Sequence, residues 1–369
     1  MAQLMLKSLP AVQPALDGRL LPARDHRCEI GAVVDGVARD RKVSDQVGAG
    51  QVAVHSTFIL HTSWMRDIPD DTLVTALSIP GTHDSACIGG PLGFGQTQNL
   101  DLSHQLIAGI RFLDIRLAHY QDNLYLHHDV VHMEKCYADV LDICSDFLKR
   151  FPSEVIFMSV KEENRFDSPL GRFAPSKIFG KDRGDPKNWV IRSDSFEEVF
   201  KARTWQHCED ASLWHNLAAP RAGGGSGPPD PVLTSETTLK DVRGKVVLLR
   251  RFKGSSDVGF DLTYWPENRT FRSTAFPAHD VHDRFQGIRS EEKFELVVAH
   301  LEEAKKGDPK DLYITFSSAV ALKARGYADV VNPRLNEYLA ESSKGRVGII
   351  AMDYFEDPPE LVSNVIKMN

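Results

Sequence analysis

A chain of 369 residues with 42% hydrophobic and 26% charged residues can bury one large core or two ordinary ones, and it reads as a globular protein. Aspartate and glutamate outnumber lysine and arginine by 51 to 44, a formal net charge of −7, which argues against a nucleic-acid surface because a phosphate backbone demands a basic footprint. The five cysteines (Cys28, Cys87, Cys136, Cys144 and Cys208) include no CxxC pair, so they suggest neither a disulfide framework nor a zinc knuckle and read as free thiols.

The opening stretch MAQLMLKSLPAVQPALDG has one lysine, a broken apolar run and an early proline, and so lacks the pattern of a secretory signal. No window approaches the roughly 18 continuous apolar residues of a membrane span. Residues 1–62 are expected to form a β-rich extension, a hairpin or small sheet, from the runs IGAVVDGVA (from Ile30) and QVAVHSTFIL (from Gln51) between turn-forming residues. From Leu73 onward short apolar runs alternate with helical patterns, as in a parallel sheet wrapped by helices, and residues 63–369 are expected to form one unit. One helix is predicted over Tyr137–Arg150, with Val140, Ile143, Cys144, Phe147 and Leu148 as its stripe and Pro152 beyond its end. Another is predicted over Ser290–Lys306, with Phe294, Val297, Val298 and Leu301 on one face. Two stretches rich in glycine and proline, 164–189 and 218–231, read as long loops within the same domain.

Three segments place ionisable groups where strands should end: LSIPGTHDS (Leu77 to Ser85), GIRFLDIRLAHYQDNLYLHHD (Gly109 to Asp129) and VIFMSVKEE (Val155 to Glu163). Strand alternation puts Phe112, Asp114 and Arg116 on one face of FLDIRL, with Leu113, Ile115 and Leu117 on the other. The same parity groups Lys161 with Phe157 and Ser159, and Asp353 with Ala351 and Ile349. In a (β/α) barrel the C-terminal strand ends share one mouth, so residues far apart in sequence can meet there. His127 and His128 cannot both point inward from an extended strand.

Taken singly, such residues more often serve structural hydrogen-bond networks. His128 and His132 stand at zinc-helix spacing, but Val130 and Val131 between them look extended, so a loop histidine is the better reading. His104 and His119 read as surface or helix residues, and the GGPLGFG stretch lacks the lysine of a nucleotide loop and reads as a rim. The joint pattern overrides these readings. Two histidines, two aspartates, an arginine and a lysine converging on one cleft are suited to phosphoryl chemistry.

The order and wording of these segments resemble the catalytic X region of phosphatidylinositol-specific phospholipase C, particularly its bacterial single-domain type. The likeness continues through KDVRGKVVLLRRF (from Lys240), LTYWPENRTF (from Leu262), VHDRF (from Val281), DLYITFSS (from Asp311) and RVGIIAMDYF (from Arg346), and so runs from about Trp64 to the C-terminus. It implies a single distorted (β/α) TIM barrel carrying the N-terminal β-rich extension. It implies an enzyme that cleaves phosphatidylinositol to diacylglycerol and a cyclic inositol phosphate. His83 would be the base oriented by Asp353, and His128 the acid supported by Asp84. Arg116 would clamp the phosphate, held by Asp114. Lys161, Arg251 and Asp283 would read the inositol ring, with Trp265 and Glu267 on the rim and Phe285 where relatives carry a stacking tyrosine. Because Arg116 stands where calcium-dependent relatives place an acidic ligand, the resemblance implies no metal, and it implies no cofactor. The expected partners are an inositol phospholipid and a weakly held membrane surface, met by Phe94, Leu322 and Tyr327 in place of rim tryptophans; nucleic acid is not expected, and the chain is expected to be a monomer. Two rivals remain: a barrel of the same fold acting on another phosphodiester, and a barrel that binds inositol phosphate without turnover.

Overall fold

The computed structural model describes residues 37–39, 57–89, 95–120, 123–128, 131–163, 195–208, 211–217, 233–256, 258–274, 277–320 and 324–369. The strands are β1 (Val37–Arg39), β2 (Thr57–Ile59), β3 (Ile79–Thr82), β4 (Phe112–Tyr120), β5 (Asn123–His128), β6 (Val131–Cys136) and β7 (Ile156–Glu162). They continue as β8 (Val246–Arg251), β9 (Phe260–Asp261), β10 (Thr270–Ser273), β11 (His279–His282), β12 (Leu312–Phe316) and β13 (Ile349–Met352). The α-helices are α1 (Leu102–Ile107), α2 (Tyr137–Arg150), α3 (Phe196–His207), α4 (Leu239–Val242), α5 (Ser290–Lys306), α6 (Arg325–Glu341) and α7 (Leu361–Ile366). Both helices predicted from periodicity occur at the predicted bounds. The loops at 164–189 and 218–231 lie outside the described residues, as does most of the N-terminal extension.

The main sheet runs β10-β11-β12-β13-β3-β4-β7-β8-β9, parallel throughout except at β10, and the β5–β6 hairpin branches from β4. It curls into most of a barrel. Among the described residues no ladder joins β9 to β10, so the ring is completed by side chains: Phe260 meets His279 edge-on at 5.5 Å, and Trp265 meets Phe316 at 5.8 Å. Outside this sheet β1 pairs antiparallel with β2, and Phe58 and Leu60 pack into the core beneath the helices.

Alternation divides the core in two. Leu113, Ile115 and Leu117 of β4 join Ile156, Met158 and Val160 of β7 in an outer core covered by α2, α3 and α7. Phe112, Phe157, Val247, Leu249, Ile314 and Ile349 fill the barrel interior. The interior is so crowded that a Cβ on Gly81 would lie 2.7 Å from that of Phe112, its partner on the next strand, so only glycine fits there. Farther up the same inner face the residues turn polar, which carries the site to the C-terminal strand ends.

On α5 the buried face differs from the predicted stripe: Lys293, Val297, His300, Leu301 and Ala304 are buried, while Phe294 is only partly so. An apolar periodicity cannot register a buried lysine or histidine. His119, read as a surface or helix residue, is buried in β4.

The base of the barrel is tied by a buried ion pair. Arg111 Nε and Nη2 donate to Glu154 Oε2 at 2.9 and 2.8 Å, and the same guanidinium donates to the carbonyls of His61, Thr62, Leu106 and Ile110. Replacing one member strands a desolvated charge. Glu154→Leu is therefore expected to cost about 3–5 kcal/mol of unfolding free energy in urea titration; a loss well under 1 kcal/mol would show the pair to be dispensable.

Candidate active site

Parallel register sets three cations side by side: Arg116 of β4 opposes Lys161 of β7, which opposes Arg251 of β8. Neighbouring strands lie about 4.8 Å apart, so the row needs compensating negative charge. Asp114, one inward position below Arg116, supplies it. Its carboxylate accepts from Arg116 Nε, Arg251 Nη1, Ser159 Oγ and the Asp84 backbone N–H, each at 3.3 Å. Burial raises the Asp114 pKa, but Arg116, Arg251, His83 and the Asp84 N–H outweigh it and hold the carboxyl well below the usual range. Asp84 Oδ1 stands 2.5 Å from Arg116 Nε, and Glu163 Oε1 lies 3.4 Å from Arg116 Nη1 and 3.2 Å from Lys161 Nζ. Burial opposes the charge on Arg116, yet these carboxylates and Asp283 push its pKa well up.

His83 follows β3 directly. Its Nδ1 is 2.8 Å from Asp353 Oδ1, and its Nε2 accepts from Arg116 Nη2 at 2.8 Å with Asp84 Oδ2 at 3.3 Å. The Asp353 contact fixes the tautomer with the proton on Nδ1 and the lone pair on Nε2. Phe316 meets the imidazole edge-on at 5.8 Å. Burial lowers the His83 pKa, but Asp84, Asp353 and the Asp353 hydrogen bond raise it against the opposing charge of Arg116, and the net shift is upward.

Around this centre Arg251 Cζ lies over Trp265, 3.7 Å from the ring centroid, and Trp265 Nε1 donates to Asp283 Oδ2 at 2.7 Å. Burial draws the Arg251 pKa down, with Asp114 and Asp283 opposing. Glu267 Oε1 approaches Lys161 at 4.0 Å. Of the predicted site residues, the structure thus brings together His83, Asp84, Asp114, Arg116, Lys161, Arg251, Trp265, Asp283 and Asp353. Phe285 follows on the turn after Asp283, its backbone held by Asn268 Oδ1 and the Val320 N–H. His128 ends β5 opposite Val131, and His127 opposes His132; the side chains of these histidines lie outside the described residues. So do Phe94 and Leu322. Tyr327, expected on the rim, is half-buried and its hydroxyl donates to the Ile288 carbonyl, so it is committed to the fold.

Two groups of described residues bring ligand atoms within 4.8 Å of one another: His83, Asp84 and Asp114, and Asp280, His300 and Glu303. In the first, the Arg116 guanidinium already stands among the carboxylate oxygens a cation would need. In the second, His300 Nε2 bonds Asp280 at 3.2 Å and Arg272 lies 3.5 Å from the same carboxylate.

Several residues escaped the sequence reading. Glu163 shares parity with Lys161, a signal that was present but unused. Phe316 lies at the end of an apolar run and carries no polar signal. Lys293 is fully buried behind the Asp283 turn, donating to Arg284 O at 2.8 Å and to His282 Nε2 at 3.3 Å. Burial brings its pKa down to about 7, with Asp283 and Asp353 opposing.

Fold and site together define an α/β barrel whose closed end is apolar and whose open end presents an imidazole–carboxylate pair beside a cation row. No protein-family model matches the chain. It is 29% identical over 319 residues to the 1-phosphatidylinositol phosphodiesterase of Listeria monocytogenes, covering 83% of this chain and 84% of that protein. It is 26% identical over 330 residues to that of Staphylococcus aureus strain Newman, covering 83% and 94%. A solved structure of an S. aureus phosphatidylinositol-specific phospholipase C variant superposes with a TM-score of 0.66 at 25% identity, covering 84% of this chain and 97% of that one. In sequence and in fold the chain is thus similar to the bacterial phosphatidylinositol-specific phospholipases C.

Asp353→Asn removes one of the two carboxylates, with Asp84, that raise the His83 pKa and is expected to move its midpoint downward in an NMR titration. The sign extends to stability. With the folded value raised above 6.5, protonated His83 contributes stability below that pH, and the contribution is lost as pH rises through the folded value. An unchanged midpoint in Asp353→Asn would remove Asp353 from this account.

Proposed function

We propose that this chain is a metal-independent phosphodiesterase that cleaves phosphatidylinositol between phosphate and glycerol, releasing diacylglycerol and a 1,2-cyclic inositol phosphate. The observation that carries the reading is the pairing of His83 with both Asp353 and Arg116, each at 2.8 Å. A base that must take a hydroxyl proton needs a free Nε2 lone pair and a partner that stabilises the imidazolium formed. A phosphodiester entering the mouth draws Arg116 onto its non-bridging oxygens, uncovering Nε2. His83 then accepts the proton of the inositol 2-hydroxyl as that oxygen bonds to phosphorus. The bond from phosphorus to the glycerol oxygen breaks, and His128 gives that oxygen its proton. Arg116, with its charge sustained by Asp84, Asp114 and Glu163, neutralises the charge that grows on the phosphoryl oxygens.

Lys161, Arg251 and Asp283 hold the inositol hydroxyls in this reading, and Phe285 stacks on the ring. Trp265 bridges them, its ring under Arg251 and its indole N–H on Asp283. Activity without a metal follows from the fixed charge of Arg116, which stands where a cation would bind.

Incubation with radiolabelled phosphatidylinositol in excess EDTA is expected to release cyclic inositol phosphate at an undiminished rate. His83→Ala and His128→Ala should each lower turnover about a hundredfold or more. Loss of activity on chelation with recovery on calcium would overturn the metal-free reading, and full activity after either histidine change would overturn the role of that histidine.

Membrane contact is assigned to the segment after β9. Tyr264 beside Trp265 is 72% exposed, and Val320, beyond the mouth end of β12, is 38% exposed. These side chains offer the apolar area that interfacial binding requires. Tyr264→Ala is expected to weaken sedimentation with phosphatidylinositol vesicles while sparing hydrolysis of soluble cyclic inositol phosphate; unchanged sedimentation would place the membrane-facing surface elsewhere.

A further inference from the structure

The ladder between β3 and β13 ends at the Thr82–Met352 pair, with one further bond from the His83 N–H to Met352 O at 2.9 Å. His83 and Asp353 both lie beyond that pair, so the sheet does not fix their separation. The turns that carry them are also unusual. Asp84, after His83, has φ 43°, and Tyr354, after Asp353, has φ 46°, left-handed conformations that residues with side chains seldom adopt. Such turns persist only where their surroundings over-determine them.

The segment Gln96–Gln98 supplies that determination. Gln98 is fully buried, and its amide Nε2 donates to His83 O and to Met352 O, both at 2.9 Å. Thr97 Oγ1 donates to Asp84 O at 2.9 Å. On the opposite turn the Tyr354 N–H donates to Thr97 O at 2.9 Å, and Tyr354 Oη donates to Gln96 O at 2.8 Å. The segment is itself anchored where the N–H groups of Thr97 and Gln98 meet Cys87 O at 3.1 and 3.2 Å. Gln98 Oε1 is buried without a hydrogen-bond partner among the described residues, so the side chain serves through its two donors.

We propose that Gln96–Gln98 is a strap that positions the base, with Gln98 and Thr97 as positioning residues that hold His83 and Asp353 at hydrogen-bonding distance. The inference rests on the reading of His83 and Asp353 as base and orienting carboxylate. An amide is the group that fits, because it brings two N–H donors to two converging carbonyls; a carboxylate would turn acceptors on acceptors. Asp353 is held from its other side as well, where Asn332 Nδ2 donates to its carbonyl at 2.9 Å. Alongside that contact, the strap ties the turn of His83 to the turn of Asp353.

Gln98→Met keeps the length of the side chain and removes both donors. Asn216→Leu is the control, since Asn216 is a buried amide that bridges the N–H and C=O of Leu248 on β8, apart from His83. Melting temperature, kcat and KM on phosphatidylinositol in micelles, and the NMR titration of His83 without substrate are measured for both. Gln98→Met is expected to lower kcat about tenfold to a hundredfold with KM little changed. Its His83 midpoint should fall toward 6.5. Asn216→Leu should lose melting temperature without either change. Equal kcat and equal His83 midpoints in the two variants would overturn the proposal. If Gln98→Met does not fold, Thr97→Val is read by the same measurements. A wild-type protein that cleaves no phosphatidylinositol would defeat the functional reading, while the His83 titration would still decide the strap.

Discussion

The site depends on one guanidinium. Arg116 sits one inward position above Asp114, where the inner face of β4 has passed from apolar to charged, and it touches Asp84, Asp114, Glu163 and His83 at once. A cation removed from water at that depth is tolerable only with close compensation. One of the carboxylates that compensate it, Asp84, also raises the pKa of His83, so it serves both groups. The charge balance of Arg116 and the pairing of His83 are thus one arrangement.

The barrel makes that arrangement possible by layering. Aromatic and aliphatic side chains close the lower interior and exclude water from beneath, so the ion pairs above face solvent on one side only. Phe112 meets Phe316 edge-on at 6.3 Å, and Phe316 in turn meets both His83 and Trp265. The imidazole therefore rests on a packed floor, which limits the directions in which it can move.

Much of this was legible in the sequence because it rests on a period of two. The alternation in FLDIRL and VIFMSVK placed Asp114, Arg116 and Lys161 on one face, and the helical period marked α2 and α5 to the residue. Legibility failed where tertiary packing overrides pattern. Lys293 and His300 are buried on α5 because neighbouring carbonyls, hydroxyls and carboxylates satisfy them, which no apolar count detects. Gln98 acts through backbone carbonyls brought together by the fold, and its own neighbours in sequence give no hint of them. Tyr327 donates its hydroxyl to the Ile288 carbonyl, a partner its neighbours in sequence do not show.

The incomplete ring has a consequence for solubility. A closed barrel has no free strand edges, whereas among the described residues the barrel path of this sheet ends at β9 and β10, and unpaired backbone along an edge can template the addition of strands from another chain. β9 is only two residues long, and its exposed residue is Asp261. β10 carries Arg272, drawn toward Asp280 and Asp311. Short length and charge are the devices by which sheets discourage intermolecular pairing. The gap that leaves the barrel open is thus guarded against self-association by the residues that border it.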